Sequence, residues 1–108
     1  MRVVAVGAAL AVLLAGAAGR AEETFTLQQV DLGRSLYARH CSPCHGPRMQ
    51  DPESAFDLRK FPHDERARFV AAVTRGKNQM PPWGDLLKPE EVEALWAYVA
   101  GAENIYGH

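Results

Sequence analysis

Residues 41–45 of this 108-residue chain read Cys-Ser-Pro-Cys-His, and Cys41 and Cys44 are the only cysteines it has. Two thiols separated by two residues, with histidine immediately after, are the attachment signature of a c-type haem. The chemistry requires that spacing. Two thiols must add across the two vinyl groups on one porphyrin edge, and the next residue must carry an imidazole under the iron. A different spacer would miss a vinyl group or the metal. A thioredoxin-like dithiol would instead follow a strand and open a helix in a βαβ setting, and no strand-rich pattern lies nearby. A structural zinc site needs two further Cys or His at matched spacing, and none is so placed. The motif therefore predicts one covalently bound haem c held through Cys41 and Cys44, with His45 as an axial ligand.

The chain opens Met1-Arg2, then runs almost entirely apolar from Val3 to Ala18, then reads Gly19-Arg20-Ala21 before Glu22-Glu23. This is the pattern of a secretory signal peptide with small residues ahead of a cut after Ala21. An uncleaved anchor is the rival reading, since the apolar run falls just short of the roughly 18 residues a spanning helix needs. Export agrees with the haem motif, because this attachment takes place outside the cytoplasmic membrane in bacteria. The expected organisation is a leader over 1–21 and one small haem domain over 22–108. Such a short chain buries little surface by itself, so the haem is expected to form part of its core.

Three helical patterns follow. The first opens at Thr26-Leu27-Gln28-Gln29, a capping-box sequence, with Phe25 and Val30 set for a hydrophobic staple; its inner face is Val30, Gly33, Leu36 and Tyr37. Gly33 lowers helix propensity, which fits a second helix crossing closely there. The second starts at Phe61-Pro62-His63-Asp64-Glu65 with Pro62 in the first helical position, buries Phe69, Val70 and Val73, and stops at Gly76 in a left-handed cap. The third begins at Pro89, weakly capped by Lys88. It carries Val92, Leu95, Trp96 and Val99 at helical spacing and ends at Ala100-Gly101. The expected core is helix on helix.

A haem iron held by His45 needs a ligand on its opposite face. Met80 stands in Asn78-Gln79-Met80-Pro81-Pro82-Trp83, where the residue before proline is extended and two prolines stiffen the loop. A thioether is a weak ligand and benefits from that rigidity. Met49 follows His45 by four residues and stays on its side, and Met1 leaves with the leader. His40, His63 and His108 are the alternatives. Ligation by His45 and Met80 gives a low-spin iron with a raised potential, suited to one-electron transfer.

With these residues located, residues 24–101 resemble a class I cytochrome c. Gly33 and Tyr37 match that family's glycine and aromatic on the N-terminal helix. Leu95-Trp96-Ala97-Tyr98 matches its leucine, any residue, small residue and aromatic on the C-terminal helix, and Gly76-Lys77 leads into a methionine loop like that of the small bacterial members. The resemblance implies an all-α fold of three main helices around one haem. It departs in one place. The family's proline-x-leucine segment, whose proline carbonyl accepts the proximal histidine's Nδ1 proton, is replaced by Phe56-Asp57-Leu58; the acceptor is main chain, so Phe56 is expected to serve.

Trp83 is expected either to hydrogen-bond a haem propionate or to pack over the haem edge. Arg48, Arg59 and Lys60 are read mainly as solvated surface charge, with propionate neutralisation as the alternative. The whole chain has a formal net charge of −1, and loss of Arg2 and Arg20 with the leader makes the mature domain −3, which offers nothing to nucleic acid. Arg75 and Lys77 form a weakly basic patch near the methionine loop, suited to transient redox docking. The expected function is that of a periplasmic, monomeric electron carrier, without a membrane span when mature. Its donor is of the dehydrogenase type, with quinoprotein dehydrogenases as a narrower analogy, and its acceptor is respiratory. A peroxidase-like haem enzyme and a gas sensor with displaceable Met80 are the rival functions.

Overall fold

The computed structural model describes residues 23–50, 52 and 55–106; the expected leader and His108 lie outside them. Among the described residues there are four helices: α1 (Leu27–His40), α2 (Ser42–His45), α3 (Arg66–Arg75) and α4 (Pro89–Tyr106), with 3-10 turns at Pro47–Met49 and Leu58–Lys60. Among the described residues there is no strand, and the one β-type pairing is an isolated bridge between Lys77 and Met80. The all-α expectation holds, with α1, α3 and α4 as the three main helices.

Helix α1 begins with the capping box in full. The Thr26 hydroxyl accepts from the Gln29 N–H at 3.0 Å, and the Gln29 side chain accepts from the Thr26 N–H at 3.0 Å, so two donors with no partner inside the helix are satisfied reciprocally. Its inner face is the expected one: Val30, Gly33, Leu36 and Tyr37 are buried. That face packs against α4, the most extensive helix pairing in the fold, where Val92, Leu95, Trp96 and Val99 are buried as their spacing implies. Closest approach is at Gly33, where an added Cβ would stand 1.9 Å from the Ala94 carbonyl oxygen.

An aromatic cluster locks α3 to the same helix. Phe61 meets Phe69 and Trp96 edge-on at 5.7 and 6.0 Å, and Phe69 lies 5.2 Å from Trp96. Each such fully buried side chain stabilises the fold by about 1.5–3 kcal/mol. Trp96 is fully buried, and its indole N–H donates to Glu23 Oε1 at 2.8 Å, which ties the first described residue to α4.

Two helix boundaries and one cap conformation differ from expectation. Helix α3 starts at Arg66 and not at Pro62, because Phe61 is anchored in the aromatic cluster and Pro62 instead opens a turn in which its carbonyl accepts from the Glu65 N–H at 3.2 Å. Gly76 does stop α3 at positive φ, but with φ 80° and ψ 163° it is not in the left-handed helical basin. Helix α4 runs past Gly101 to Tyr106. There Gly101 serves close packing: a Cβ would stand 2.6 Å from the Phe25 ring. The extra turn is held by the Tyr106 hydroxyl donating to Asp31, with the Arg34 guanidinium 5.1 Å from the Tyr106 ring centroid. At Lys88 the weak cap is half-remedied, since Glu91 accepts from the Lys88 N–H at 2.8 Å.

Candidate functional site

The five-residue motif sits in the elbow where α1 ends and α2 begins. The Cys41 N–H still donates to the Tyr37 carbonyl at 2.9 Å, while the Cys41 carbonyl accepts from the N–H groups of Cys44 and His45 at 3.1 and 2.9 Å. Cys41 therefore closes one helix and opens the next. Pro43 lies in the first turn of α2, where its missing N–H costs nothing. Neither cysteine is in a disulfide; Cys41 is half-buried and Cys44 exposed. Burial, reinforced by the neighbouring Cys44, pushes the Cys41 thiol up to about 11. A redox dithiol needs its reactive cysteine moved the other way.

His45 is oriented by the residue that the resemblance suggested. Its Nδ1 lies 3.0 Å from the Phe56 carbonyl oxygen. A carbonyl can only accept, so Nδ1 carries the proton and Nε2 is left with its lone pair for a metal. Phe56 is held in place by the turn that follows it: Asp57 caps Leu58–Lys60 by accepting from the Arg59 N–H at 3.0 Å, and its carboxylate also takes the Arg59 guanidinium at 3.1 Å through both oxygens. The Arg59 hydrogen bonds hold the Asp57 carboxyl below its ordinary value. Arg59 is thus engaged with Asp57, while Lys60 and Arg48 are exposed on the surface.

Between His45 and that turn the backbone is strained. Arg48 and Met49 have φ of 56° and 62°, a conformation that costs non-glycine residues about 1–2 kcal/mol each. Two things offset the cost: Met49 is buried in the core, and the fully interior Tyr37 hydroxyl donates to the Gly46 carbonyl at 2.6 Å. Met49 is thereby committed to packing. Burial, followed by the charge of Cys41 nearby, raises the Tyr37 phenol above its ordinary value.

Met80 closes a tight turn in which Lys77 and Met80 exchange backbone hydrogen bonds of 3.0 and 2.9 Å, with Asn78 at positive φ. Gly76 lets the loop double back: a Cβ there would stand 2.7 Å from the Met80 carbonyl oxygen and 2.9 Å from the Pro82 nitrogen. The following residues are laced to the end of α3, Trp83 N–H to the Val73 carbonyl at 2.8 Å and Gly84 N–H to the Thr74 carbonyl at 3.1 Å. Met80 itself is half-buried against the core. Among the described residues no hydrogen bond or ring contact joins Met80 to His45. The loop reaches the motif instead through Trp83, whose ring lies 5.2 Å from that of His40, the residue before Cys41. Sequence reasoning missed this partner, as it missed Glu23 for Trp96, since no local periodicity links residues so far apart. Of the alternative ligands, His40 is taken up with Trp83 and His63 is exposed on the turn before α3; Arg75 and Lys77 are both exposed beside the methionine loop.

The donor set suits a covalently held haem: two cysteine thiols, an imidazole of fixed tautomer and a thioether in a stiffened loop. Comparisons with known proteins point the same way. Residues 28–99 match the family described as cytochrome C oxidase, cbb3-type, subunit III. The chain is 34% identical over 74 residues to cytochrome c6 of Nostoc sp., covering 64% of this chain and 67% of that one. It is 35% identical over 74 residues to cytochrome c6 of Anabaena variabilis, covering 64% and 86%. It is also 38% identical over 79 residues to the quinohemoprotein alcohol dehydrogenase ADH IIB of Pseudomonas putida, covering 70% of this chain but only 11% of that much longer protein.

Proposed function

Because the chain belongs to the class I c-type cytochromes, electron-transfer proteins with a single covalently bound haem c, we propose that it is a periplasmic monohaem carrier moving one electron at a time between a dehydrogenase-type donor and a respiratory acceptor. The haem supplies the one-electron iron couple. Cys41 and Cys44 would hold it through thioethers, and His45 Nε2 and the Met80 thioether would ligate its iron. The observation that carries this reading is the 3.0 Å hydrogen bond between His45 Nδ1 and the Phe56 carbonyl, which presents Nε2 as a ligand and makes it more electron-donating. Thioether ligation opposite it favours the reduced iron and leaves no open position for peroxidase-like turnover. The likeness to a haem-bearing part of a quinohemoprotein alcohol dehydrogenase supports a quinoprotein as donor. The leader-like sequence over 1–21 supports export, and no helix among the described residues is long and apolar enough to cross a membrane. Arg75 and Lys77, beside the methionine loop, supply a basic edge for brief docking.

The deciding experiment is the absorption spectrum of the ferric holoprotein. A weak far-red charge-transfer band from iron–sulfur ligation, lost in Met80→Ala, is the expected result. A low-spin spectrum without that band would overturn Met80 in favour of a histidine, and a high-spin spectrum would overturn the carrier reading in favour of an enzyme or sensor.

A further inference from the structure

The methionine loop is fastened well on one side. Its backbone is tied to the end of α3 through Trp83 and Gly84, and Gly76 packs directly beneath it. On the side that faces the motif no backbone hydrogen bond among the described residues reaches across. There the Trp83 ring spans to the last residue of α1, with centroids 5.2 Å apart and planes tilted by 53°. His40 is half-buried, and no hydrogen bond among the described residues engages its imidazole, so the ring contact is what places it. His40 adjoins Cys41, one of the two attachment cysteines, and Trp83 lies three residues beyond Met80. The pair therefore joins the covalently anchored half of the site to the half that carries the weaker ligand.

We propose that His40 is a positioning residue for Met80: its ring, seated against Trp83, clamps the methionine loop to the α1–α2 elbow and holds the thioether on the iron. This rests on Met80 being the second axial ligand. Exchange of a thioether for another ligand requires its loop to lift, and lifting this loop separates the His40 and Trp83 rings. A tilted aromatic pair shifts such an equilibrium by about 2- to 10-fold. Its role does not depend on protonation of His40, so an apolar ring at position 40 serves equally.

The test is displacement of Met80 by added imidazole in the ferric holoprotein, followed by the shift of the Soret band in every variant and by loss of the far-red band where Met80 is present. His40→Ala and Trp83→Ala are each expected to tighten apparent imidazole binding about 2- to 10-fold, the double variant no more than either single one, and His40→Phe is expected to restore the wild-type value. Position 40 lies at a helix end and is half-exposed, so His40→Ala carries the test should Trp83→Ala fold poorly. In a Met80→Ala background, His40→Ala is expected to leave imidazole affinity unchanged, because no thioether remains to be displaced. An unchanged affinity in His40→Ala would overturn the clamp. So would an equal shift in the Met80→Ala background, which would mark an effect on access to the iron. Absence of the far-red band in the wild type would remove the Met80 assignment itself, and the clamp with it. A normal band with a flat imidazole response would remove the clamp alone.

Discussion

Replacing Gly33 by alanine tests the contact on which the helix pairing depends. The new methyl would lie 1.9 Å from the Ala94 carbonyl oxygen, 2.7 Å from the Ala94 carbonyl carbon and 2.9 Å from Tyr98 Cβ. Ordinary contact begins near 3.4 Å, so α1 and α4 would have to part by about 1.5 Å at this point. The nearest obstacles are backbone atoms of α4, and trimming the Ala94 side chain would not relieve them. A gap of 0.5–1 Å already forfeits roughly a quarter to a half of the dispersion energy of each facing atom pair, and the pairs at risk include Val30, Tyr37, Leu95 and Tyr98. Overpacking of a well-filled core costs about 1–3 kcal/mol in ordinary cases, and a backbone-to-backbone clash exceeds that range. Against it stands a gain of about 1 kcal/mol in helix propensity. The net expectation is a loss of about 3 kcal/mol, which in a domain of this size lowers the melting temperature by roughly 12–24 °C. The assay is thermal unfolding of the holoprotein by far-UV circular dichroism, with Ser35→Ala on the exposed face of α1 as the control expected to stay within about 0.5 kcal/mol. A Gly33→Ala protein that melts at or above the wild-type temperature would show that propensity governs this position, and the close-crossing argument would fail.

Two further outcomes follow from the surroundings of the motif. Tyr37→Phe removes one of two donors to the Gly46 carbonyl, which keeps the Met49 N–H at 3.1 Å, so it is expected to cost about 0.5–1.5 kcal/mol in denaturant unfolding; a loss within experimental error would mean that the strained turn after His45 holds itself. The Asp57 carboxyl, lowered chiefly by its hydrogen bond to Arg59, contributes stability present above the unfolded-state value of about 3.9 and lost as pH falls through its lower folded value. Asp57→Asn keeps the capping oxygen but not the charge, and is therefore expected to flatten the pH dependence of unfolding below about pH 4; an acid limb identical to wild type would refute the linkage.

How much of the site was legible in the sequence differed from residue to residue. Cys41, Cys44 and His45 are fixed by a spacing that geometry alone demands, and Thr26 with Gln29, or Val92 with Leu95, Trp96 and Val99, declare themselves within one or two helical turns. Phe56 was reachable only through the resemblance, which puts it where the family has its proline, because a carbonyl acceptor leaves no trace in residue identity. Gly101 misled because a glycine that ends a helix and a glycine that admits a neighbouring ring look the same in one dimension; only the position of Phe25 tells them apart. Pro62 misled for a similar reason, since burial of Phe61 beside Phe69 and Trp96 outweighs a proline's preference for a first helical turn.

The chemistry of the Cys41-to-His45 motif, the helical character of the chain and the apolar faces of its helices could all be read along the chain, because each depends on residues within a few positions of one another. Where α3 begins and α4 ends, the pairing of Glu23 with Trp96, and the meeting of the methionine loop with the α1–α2 elbow through Trp83 and His40 became visible only in the packed fold. Those outcomes depend on pairs brought together across tens of residues, and they are set by which surfaces fit once the helices have packed.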